Sequence, residues 1–290
     1  MKKNNIWTAL GFLSPALLVI LGTIVFPFGY AFFLSFHKWN LKYRDTPFVG
    51  FKNYSRILSS EKFWDILGTT AVFCVFSVIL IMSIGYMIAL LLNEEFWGRG
   101  VLRALLLVPW AIPEVVNGIL WKWLLDPSFG IINRVLMAIG VIDEHHSWLN
   151  SMPSAMISVV VAYVWTHVPL AALIILAGLQ SISKEVKEAA LVDGAGIFDR
   201  LILITTPLLR PVLVVVLMFE TIFALKVFDI IYVLTGGGPG RATTVLGWQI
   251  YSRTFTNLAF GRGSALAMLL GLITLTVAIL YFKYLNREED

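Results

Sequence analysis

The sequence has few of the features that mark soluble, disulfide-bonded or nucleic-acid-binding proteins. Charged residues make up only 14% of the chain, against about 25% in soluble domains, and 58% of the residues are hydrophobic. Cys74 is the single cysteine, which excludes an intrachain disulfide. The basic residues are scattered and the net charge is only +4, so nothing favours binding to nucleic acid. These deficits indicate an integral membrane protein.

Motifs for nucleotide hydrolysis, metal binding and catalysis are also missing. The glycine-rich run at 235–241 contains Pro239 and ends in Arg241, so it does not match the G-x-x-x-x-G-K-[ST] phosphate loop. His145, His146 and His167 have no cysteine or carboxylate at metal-ligand spacing, and a solvated loop is the simpler explanation. We therefore predict that this chain is not an enzyme, has no catalytic residue and no metal site, and binds no cofactor itself.

Long apolar runs are the main feature that the sequence does have. A helix needs about 20 residues to cross ~30 Å of hydrocarbon. The first run is too long for a signal peptide, so we expect it to be retained as a span. We predict an all-α integral membrane protein with six transmembrane helices and both termini on one side. The six runs lie at residues 8–36, 66–92, 103–125, 154–180, 211–234 and 263–283.

A charged stretch at residues 184–207 separates the fourth and fifth runs. Ala189 and Ala190 favour a helix there. Gly194 and Gly196 suit a chain reversal in which a side chain would clash. Pro207 and Pro211 are expected to begin a helix rather than to lie inside one. The stretch therefore predicts a helix–turn–helix between two spans, with the shape of a docking element.

The same stretch resembles the signature loop of the membrane subunits of binding-protein-dependent ABC importers. The resemblance rests on Glu-Ala-Ala at 188–190, on Gly194 six positions after the Glu, and on an Ile-x-x-Pro ending at Ile204 and Pro207. Thr206 is a departure, because the family usually has Leu before the Pro. The resemblance implies that the residues coupling this chain to an ATPase are Glu188, Ala189, Ala190, Asp193, Gly194, Ala195, Gly196, Ile204 and Pro207.

The other loops resemble those of sugar permeases of the maltose type, specifically the subunit with an extra N-terminal span. These elements are Gly-x-x-Asn-Tyr at 50–54, Trp-Lys-Trp at 121–123, the segment at 126–133 and the glycine-rich run at 235–241. The implied fold is that of a type I ABC importer permease. The implied organisation is an N-terminal span with an outer loop at 1–65, followed by the importer core at 66–290, which contains the coupling loop 184–207.

What the resemblance implies about partners is specific. We expect a second permease subunit in a heterodimer, a dimer of ATPase subunits that uses ATP and Mg, an extracytoplasmic solute-binding protein, a sugar substrate and surrounding membrane lipid. Alternating access, driven by closure of the ATPase pair, is the implied mechanism. The coupling loop of the family faces the ATPase, which implies a multi-pass protein of the cytoplasmic (inner) membrane with both termini in the cytoplasm. Lys and Arg are also denser in the short segments on the side of the termini, which favours cytoplasmic termini by the positive-inside rule.

Ionisable residues inside the third and fifth runs are candidates for the transport pathway, because such groups are costly in hydrocarbon and usually face a cavity or a partner. Glu114 and Asn117 follow Pro113, and Glu220 lies nine residues after Pro211, about 14 Å along a helix. We expect Lys226 and Asp229 to pair at i,i+3, and Glu220 and Asp229 to face opposite sides of a straight helix. The candidates are Glu220, Asn117, Glu114, Phe223 and Asp229, with Tyr163 and Trp165 as further ring faces. The alternative is that the charges only bond to neighbouring helices or to a partner subunit.

Two other functions remain open from the sequence. One is an ion-coupled secondary transporter acting alone, which would need coupling carboxylates and usually shows internal repeats that we do not find. The other is an ABC importer permease for a non-sugar solute, such as a polyol or a glycerol phosphate ester. Transport by the purified chain in vesicles without any ATPase distinguishes the first from an importer subunit.

Overall fold

The computed structural model describes residues 4–286, which are mainly helical. Within that range no strand forms, and His37 and Phe48 make an isolated antiparallel bridge. Two π-helical segments, Leu21–Val25 and Arg200–Thr205, join the helices on either side of them, and a third, Ser252–Thr256, extends the helix before it. The α-helices are α1 (Asn4–Ile20), α2 (Phe26–Ser35), α3 (Lys52–Leu58), α4 (Glu61–Asn93), α5 (Arg99–Trp110), α6 (Glu114–Leu124), α7 (Ile131–Ala138), α8 (Ser154–Ser181), α9 (Lys184–Val192), α10 (Ile197–Asp199), α11 (Thr206–Lys226), α12 (Asp229–Leu234), α13 (Leu246–Tyr251) and α14 (Phe260–Asn286).

Five helical stretches in the described residues are long and apolar enough to cross a membrane, and a broken helix pair supplies a sixth candidate. The pair is α5 and α6, which meet at an angle of 92°. Pro113 stands immediately before α6 with an extended ψ of 139°, and its missing N–H and ring prevent one helix from continuing through this point. The third predicted run is therefore a pair of helices with a sharp bend between them and not one continuous helix. The five continuous stretches are Thr8–Ser35, Glu61–Asn93, Ser154–Ser181, Ile197–Lys226 and Phe260–Tyr284.

The fifth span differs from the run predicted at 211–234. Its helical path starts at Ile197 and passes through the π-helical segment into α11, so Pro211 lies inside a helix rather than at its beginning. Pro207 does lie in the first turn of α11. The path ends at Lys226, because Val227 (ψ 136°) and Phe228 (φ −148°) leave the helical region before α12 begins. The predicted single span is thus a helix followed by a break and a short second helix.

The chain divides into two compact units. The first consists of the residues up to Phe63 together with Ile250–Gly271. Asn53 ties the loop after α2 together, because its side-chain amide donates to the carbonyls of Ser35 (2.8 Å) and His37 (3.0 Å). The Gly261 amide donates to the Trp39 carbonyl at 3.0 Å, which joins this loop to the start of α14.

The second unit consists of Trp64–Gln249 and the residues from Leu272 onward, and α8 lies at its centre. This helix is the most buried of the candidate spans, and it packs against α5, α6, α11 and α12. Small residues allow the close approaches: a Cβ added at Gly178 would lie 2.9 Å from Val212, and one at Gly118 would lie 2.9 Å from Val233. The close packing of α6 against α12 positions the polar residues described below.

Candidate functional site

The stretch at 184–207 forms the predicted helix and glycine turn. Helix α9 ends at Val192 with Asp193 as its C-cap, and the amides of Gly194 and Ala195 donate to the carbonyls of Leu191 (3.1 Å) and Ala190 (3.0 Å). These two bonds form a Schellman motif, in which the residue after the helix takes a left-handed conformation. Gly194 does so, with φ of +77°. The motif fixes the angle at which the chain leaves α9.

The reason for glycine at the turn differs from the one we predicted. A Cβ at Gly194 would meet no atom within 4 Å, so the positive φ, and not a clash, requires glycine there. Gly196 has an ordinary φ of −64°, and a Cβ would lie 3.4 Å from an Asp199 carboxylate oxygen, which is normal contact. The expectation of a side-chain clash at either glycine was therefore wrong, and the two glycines are not equivalent.

The turn presents apolar side chains on an otherwise polar segment. Val192, Ile197 and Phe198 are 87%, 74% and 77% exposed. Near the start of α9, the pKa of Glu185 is lowered by hydrogen bonds from its own backbone N–H and from the Ser183 hydroxyl. Val192 lies outside the candidate spans, and Ile197 and Phe198 are the first two residues of the fifth. An exposed apolar patch of this kind is typical of an interaction surface. Of the predicted coupling residues, Ala190 is buried, Ala195 and Ile204 are half-buried, and the exposed ones are Glu188, Ala189, Asp193, Gly194, Gly196 and Pro207.

Thr206 connects the exit of this segment to α4. Its hydroxyl donates to the Leu201 carbonyl at 2.7 Å, an i−5 partner that the π-helical geometry provides. The same oxygen is 2.8 Å from the Tyr86 hydroxyl and accepts its proton. Thr206, which departs from the family pattern, thus forms a hydrogen bond between the segment and α4.

Glu114 and Asn117 form the centre of a polar cluster inside the second unit. The break before α6 places Glu114 in the first turn of that helix, where the helix dipole favours a carboxylate. Its two oxygens accept hydrogen bonds from the Thr166 hydroxyl (2.9 Å) and the Asn117 amide (3.2 Å). Asn117 is fully buried and also donates to the Ala162 carbonyl at 3.0 Å. The cluster therefore links α6 to the middle of α8.

An aromatic wall adjoins these polar groups. The Tyr163 and His167 rings stack with centroids 3.8 Å apart, and Phe73 meets Tyr163 edge-on at 5.1 Å. His167 Nδ1 lies 2.9 Å from the Tyr163 carbonyl, which can only accept, so Nδ1 carries a proton there. Phe223 lies 6.4 Å from the His167 ring. Of the predicted ring faces, Tyr163 and Phe223 therefore lie at the cluster.

Three buried polar atoms of this region have no hydrogen-bond partner among residues 4–286. They are Asn117 Oδ1, the Tyr163 hydroxyl and Glu220 Oε2. Glu220 is only 3% exposed, and the charges of Glu220 and Glu114 both act on the Tyr163 hydroxyl. A buried polar group without a partner is costly, so such a group marks strain or a place for a ligand. Donors and acceptors from three helices thus converge here with unused hydrogen-bonding capacity.

The break after Lys226 changes two expectations about α11. Lys226 forms no salt bridge with Asp229 within the described residues, and its ammonium lies 5.7 Å from the Phe223 ring centroid. Asp229 instead begins α12, and its charge acts on Glu114. The expected Lys226–Asp229 pair therefore does not form, and the expectation that Glu220 and Asp229 face opposite sides does not apply, because it assumed a straight helix. The structure brings Asp229 towards Glu114.

The sequence did not identify Thr166 and His167 as members of the cluster. His167 is not in a solvated loop, whereas His145 and His146 are. A polar Thr-His pair in an otherwise apolar span was the available signal. Trp165 lies elsewhere: it meets Trp121 edge-on and lines an apolar groove of about 1040 Å³ between α4, α5 and α8. No group of three metal-binding side chains occurs in the part of the chain that the structure describes.

Comparison with known proteins identifies a family. Residues 81–287 match the family described as "Binding-protein-dependent transport system inner membrane component". The chain is 43% identical over 284 residues to the trehalose/maltose transport system permease protein MalF of Thermococcus litoralis, covering 97% of this chain and 95% of that protein. It is 36% identical over 278 residues to the sulfoquinovosyl glycerol transport system permease protein SmoG of Agrobacterium fabrum, covering 96% and 90%.

The fold also matches a solved structure. A chain of a bacterial alginate ABC transporter, crystallised in complex with an alginate pentasaccharide-bound periplasmic protein, superposes with a TM-score of 0.81. The match covers 95% of this chain and 92% of that one at 21% sequence identity. At this identity the likeness establishes the fold, which is that of an ABC importer permease.

Proposed function

The chain belongs to the family of binding-protein-dependent transport system inner membrane components, and from this membership we propose that it is the permease subunit of an ATP-driven importer for a sugar or oligosaccharide. It is a transport subunit and not an enzyme, since the relatives are permease proteins of transport systems. The observation that carries the sugar assignment is 43% identity, over nearly the whole chain, to a trehalose/maltose permease. The related permeases serve glycosidic solutes, which favours a sugar over a simple polyol or glycerol phosphate ester.

The polar cluster supports the same substrate class. A sugar offers hydroxyl groups that both donate and accept, and apolar ring faces that pack on aromatic side chains. Asn117 Oδ1, the Tyr163 hydroxyl and Glu220 Oε2 supply unused polar atoms, and the Tyr163–His167 stack supplies an aromatic surface. We assign the pathway to this cluster, with Glu220, Asn117 and Glu114 as polar contacts and Phe223 and Asp229 at its edge.

The segment 184–207 is the proposed contact with an ATPase subunit. Its Schellman turn is rigid, and Val192, Ile197 and Phe198 offer apolar side chains that a cleft on the ATPase would cover. A dimer of ATPase subunits would bind ATP and Mg, while this chain binds no cofactor. The segment and both termini would then lie in the cytoplasm, and the protein in the inner membrane.

The remaining partners follow from the family description and from alternating access. A second permease would form a heterodimer with this chain, and an extracytoplasmic binding protein would deliver the sugar. Support for the binding protein comes from the family's own description and from the alginate transporter, which was crystallised with a periplasmic protein. ATP-driven closure of the ATPase pair would move the two docking segments together and open the cluster to alternate sides.

Reconstitution in proteoliposomes tests the proposal. The chain is reconstituted with the permease, ATPase and binding protein encoded beside it, and uptake of radiolabelled trehalose, maltose and glycerol phosphate is measured. We expect uptake of a disaccharide that requires ATP and the binding protein. The matched control contains the chain alone with an imposed proton or sodium gradient. Gradient-driven uptake by the chain alone would instead establish an ion-coupled transporter.

A further inference from the structure

A second cavity lies in the first unit, and its lining residues differ in kind from those of the polar cluster. It has a volume of about 320 Å³ and is lined by Lys38, Trp39, Asn40, Tyr43, Asn53, Ala259 and Arg262. This volume is at the lower end of the ~300–1,000 Å³ of small-molecule sites. Unlike the cluster around Glu114, its lining includes two cations, Lys38 and Arg262, and no carboxylate. Its chemistry therefore suits an anion and not a neutral sugar.

Positive charge is concentrated around this cavity. Arg56 and Arg253 both exert Coulombic repulsion on Arg262, and no carboxylate appears among the charges acting on it. No ion pair within residues 4–286 includes any of the three arginines. The segments 37–62 and 250–262 together carry eight basic and two acidic residues, a net charge of +6. Gathering like charges is unfavourable unless an anion lies among them.

The cavity lies at the level of the membrane surface. Lys38 follows the end of α2 at Ser35 by three residues, and Arg262 is the third residue of α14, so both stand at the ends of membrane-crossing helices. Trp and Tyr are enriched at this depth because their rings are apolar and their N–H and O–H groups are polar. Trp39 and Tyr43 supply such rings to the cavity wall. A ligand here would have its charged part among the lipid headgroups.

An aromatic ladder connects the cavity to the apolar surface of the first span. Trp39 meets Tyr30 edge-on at 6.2 Å, and Tyr30 stacks on Phe26 at 6.3 Å. Phe26 and Tyr30 are 71% and 45% exposed, and no residue of this span's most apolar stretch is buried within the chain. The ladder therefore leads from the hydrocarbon region to the cationic cavity. A ligand that fits both has an anionic head and an apolar chain.

We propose that the cavity bounded by Lys38, Trp39 and Arg262 binds the phosphate headgroup of an anionic phospholipid, with an acyl chain lying along Tyr30 and Phe26. The guanidinium groups of Arg262, Arg56 and Arg253 neutralise the phosphate, which in turn removes their mutual repulsion. The lipid belongs to the leaflet on the side of residues 37–60. It stabilises the contact between the loop after α2 and the start of α14. This assignment does not depend on the transported solute.

Native mass spectrometry of the purified full chain in detergent tests the proposal. Phosphatidylglycerol and phosphatidylcholine with the same acyl chains are titrated separately, and the apparent Kd of the first bound lipid is measured. We expect phosphatidylglycerol to bind at least about five-fold more tightly. Arg262→Gln and Arg56→Gln should each weaken its binding about five-fold, since one charge near a lipid phosphate is removed. Arg134→Gln, which removes an exposed arginine at 126–152, is the matched control and should change the Kd less than two-fold.

Each other outcome overturns the proposal. Equal binding of the two lipids, or an equal effect of Arg134→Gln, means that no headgroup site exists. Displacement of phosphatidylglycerol by inorganic phosphate at the same concentration means that the cavity takes a free anion. Normal phosphatidylglycerol binding by Arg262→Gln and Arg56→Gln, with loss of affinity for the soluble binding protein, assigns the cationic surface to protein docking. Arg56 is exposed, so its variant tests the site even if Arg262→Gln fails to fold.

Discussion

At the scale of single residues, Glu220 differs from the other acidic side chains between residues 4 and 286 because it alone is buried, with 3% of its surface exposed. Its i−4 and i+4 neighbours, Val216 and Ala224, provide no cation. One carboxylate oxygen has no partner in the described chain, although burial of such an atom is costly. Glu220 Oε2 is thus an unsatisfied hydrogen-bond acceptor, and a sugar hydroxyl could donate to it.

Glu220→Gln should lower uptake by the assembled transporter about ten-fold or more, because a hydrogen bond to a charged acceptor is worth ~1.5–3 kcal/mol. Uptake of labelled sugar, basal ATP hydrolysis and co-purification of all subunits are measured together. Glu95→Gln, which alters an exposed carboxylate beyond α4, is the matched control and should transport normally. Normal uptake by Glu220→Gln, or loss of the complex, would show that Glu220 is structural.

Gly194 and Gly196 allow a second comparison at the residue scale. Gly194→Ala places a side chain at φ +77°, which costs roughly 1–2 kcal/mol, whereas Gly196 has an ordinary φ of −64°. We expect Gly194→Ala to reduce the stimulation of ATP hydrolysis by the sugar-loaded binding protein, and Gly196→Ala to leave it nearly unchanged. ATPase assays with and without the binding protein measure this. Equal effects of both variants would contradict the assigned role of the turn.

At the scale of secondary-structure elements, the part of segment 184–207 that follows its glycine turn forms one helical path with α11. From Ile197 the path continues through π-helical and α-helical turns to Lys226, so a displacement of α10 is transmitted along a continuous rod. The Thr206–Tyr86 hydrogen bond of 2.8 Å attaches this rod to α4. Glu220 lies on the same rod, at the polar cluster. Movement at the proposed ATPase contact would therefore reach the proposed pathway through one element.

A double-mutant cycle tests the attachment of the rod to α4. Thr206→Val and Tyr86→Phe each remove one partner, and their coupling energy should be about 0.5–1.5 kcal/mol. Thermal unfolding of the purified chain in detergent supplies the measurement. Thr206→Val alone leaves the Tyr86 hydroxyl without its partner. The double variant removes that hydroxyl as well, so it should be no less stable than Thr206→Val alone. Additive effects would mean that the two hydroxyls do not interact.

At the scale of the whole molecule, the proposed topology places loop 126–152 and segment 184–207 on opposite sides of the membrane. Between them runs α8, a single span of 28 residues. The native thiol is suited to a labelling test, because Cys74 is only 5% exposed and lies inside α4. An impermeant reagent should therefore detect only cysteines that are introduced.

His145→Cys should react with an impermeant thiol reagent added to intact cells, and Ala189→Cys should react only after the inner membrane is opened. Both positions are exposed in the chain. The unaltered chain, which retains Cys74, is the control and should remain unlabelled. Reaction of His145→Cys only from the cytoplasmic side would reverse the proposed orientation. In the assembled transporter, Ala189→Cys should also crosslink to an introduced cysteine on the ATPase.

The sequence by itself determined the features that depend on local composition and backbone conformation. Hydropathy alone located the five continuous candidate spans and the bent α5–α6 pair, because crossing hydrocarbon demands a fixed length of apolar helix. The glycine at 194 and the Glu-Ala-Ala pattern located the helix and turn at 184–196, since left-handed φ and helix propensity act within a few residues. Glu220, Asn117 and Glu114 were recognisable because ionisable and amide groups are rare in spans.

Only the tertiary structure decided which of these residues meet. Thr166 and His167 lie about 50 positions from Glu114 in sequence, and only the packing of α8 against α6 brings them into contact. The break at Val227 and Phe228 redirects Asp229 towards Glu114, and no local signal marked it. Apolar periodicity specifies that a helix is buried or faces lipid. The helix breaks, and the close approaches of helices at Gly118 and Gly178, depend instead on the neighbouring helices. For that reason the sequence determined the apolar helices and the glycine turn, and the packing of the helices determined the composition of the polar cluster.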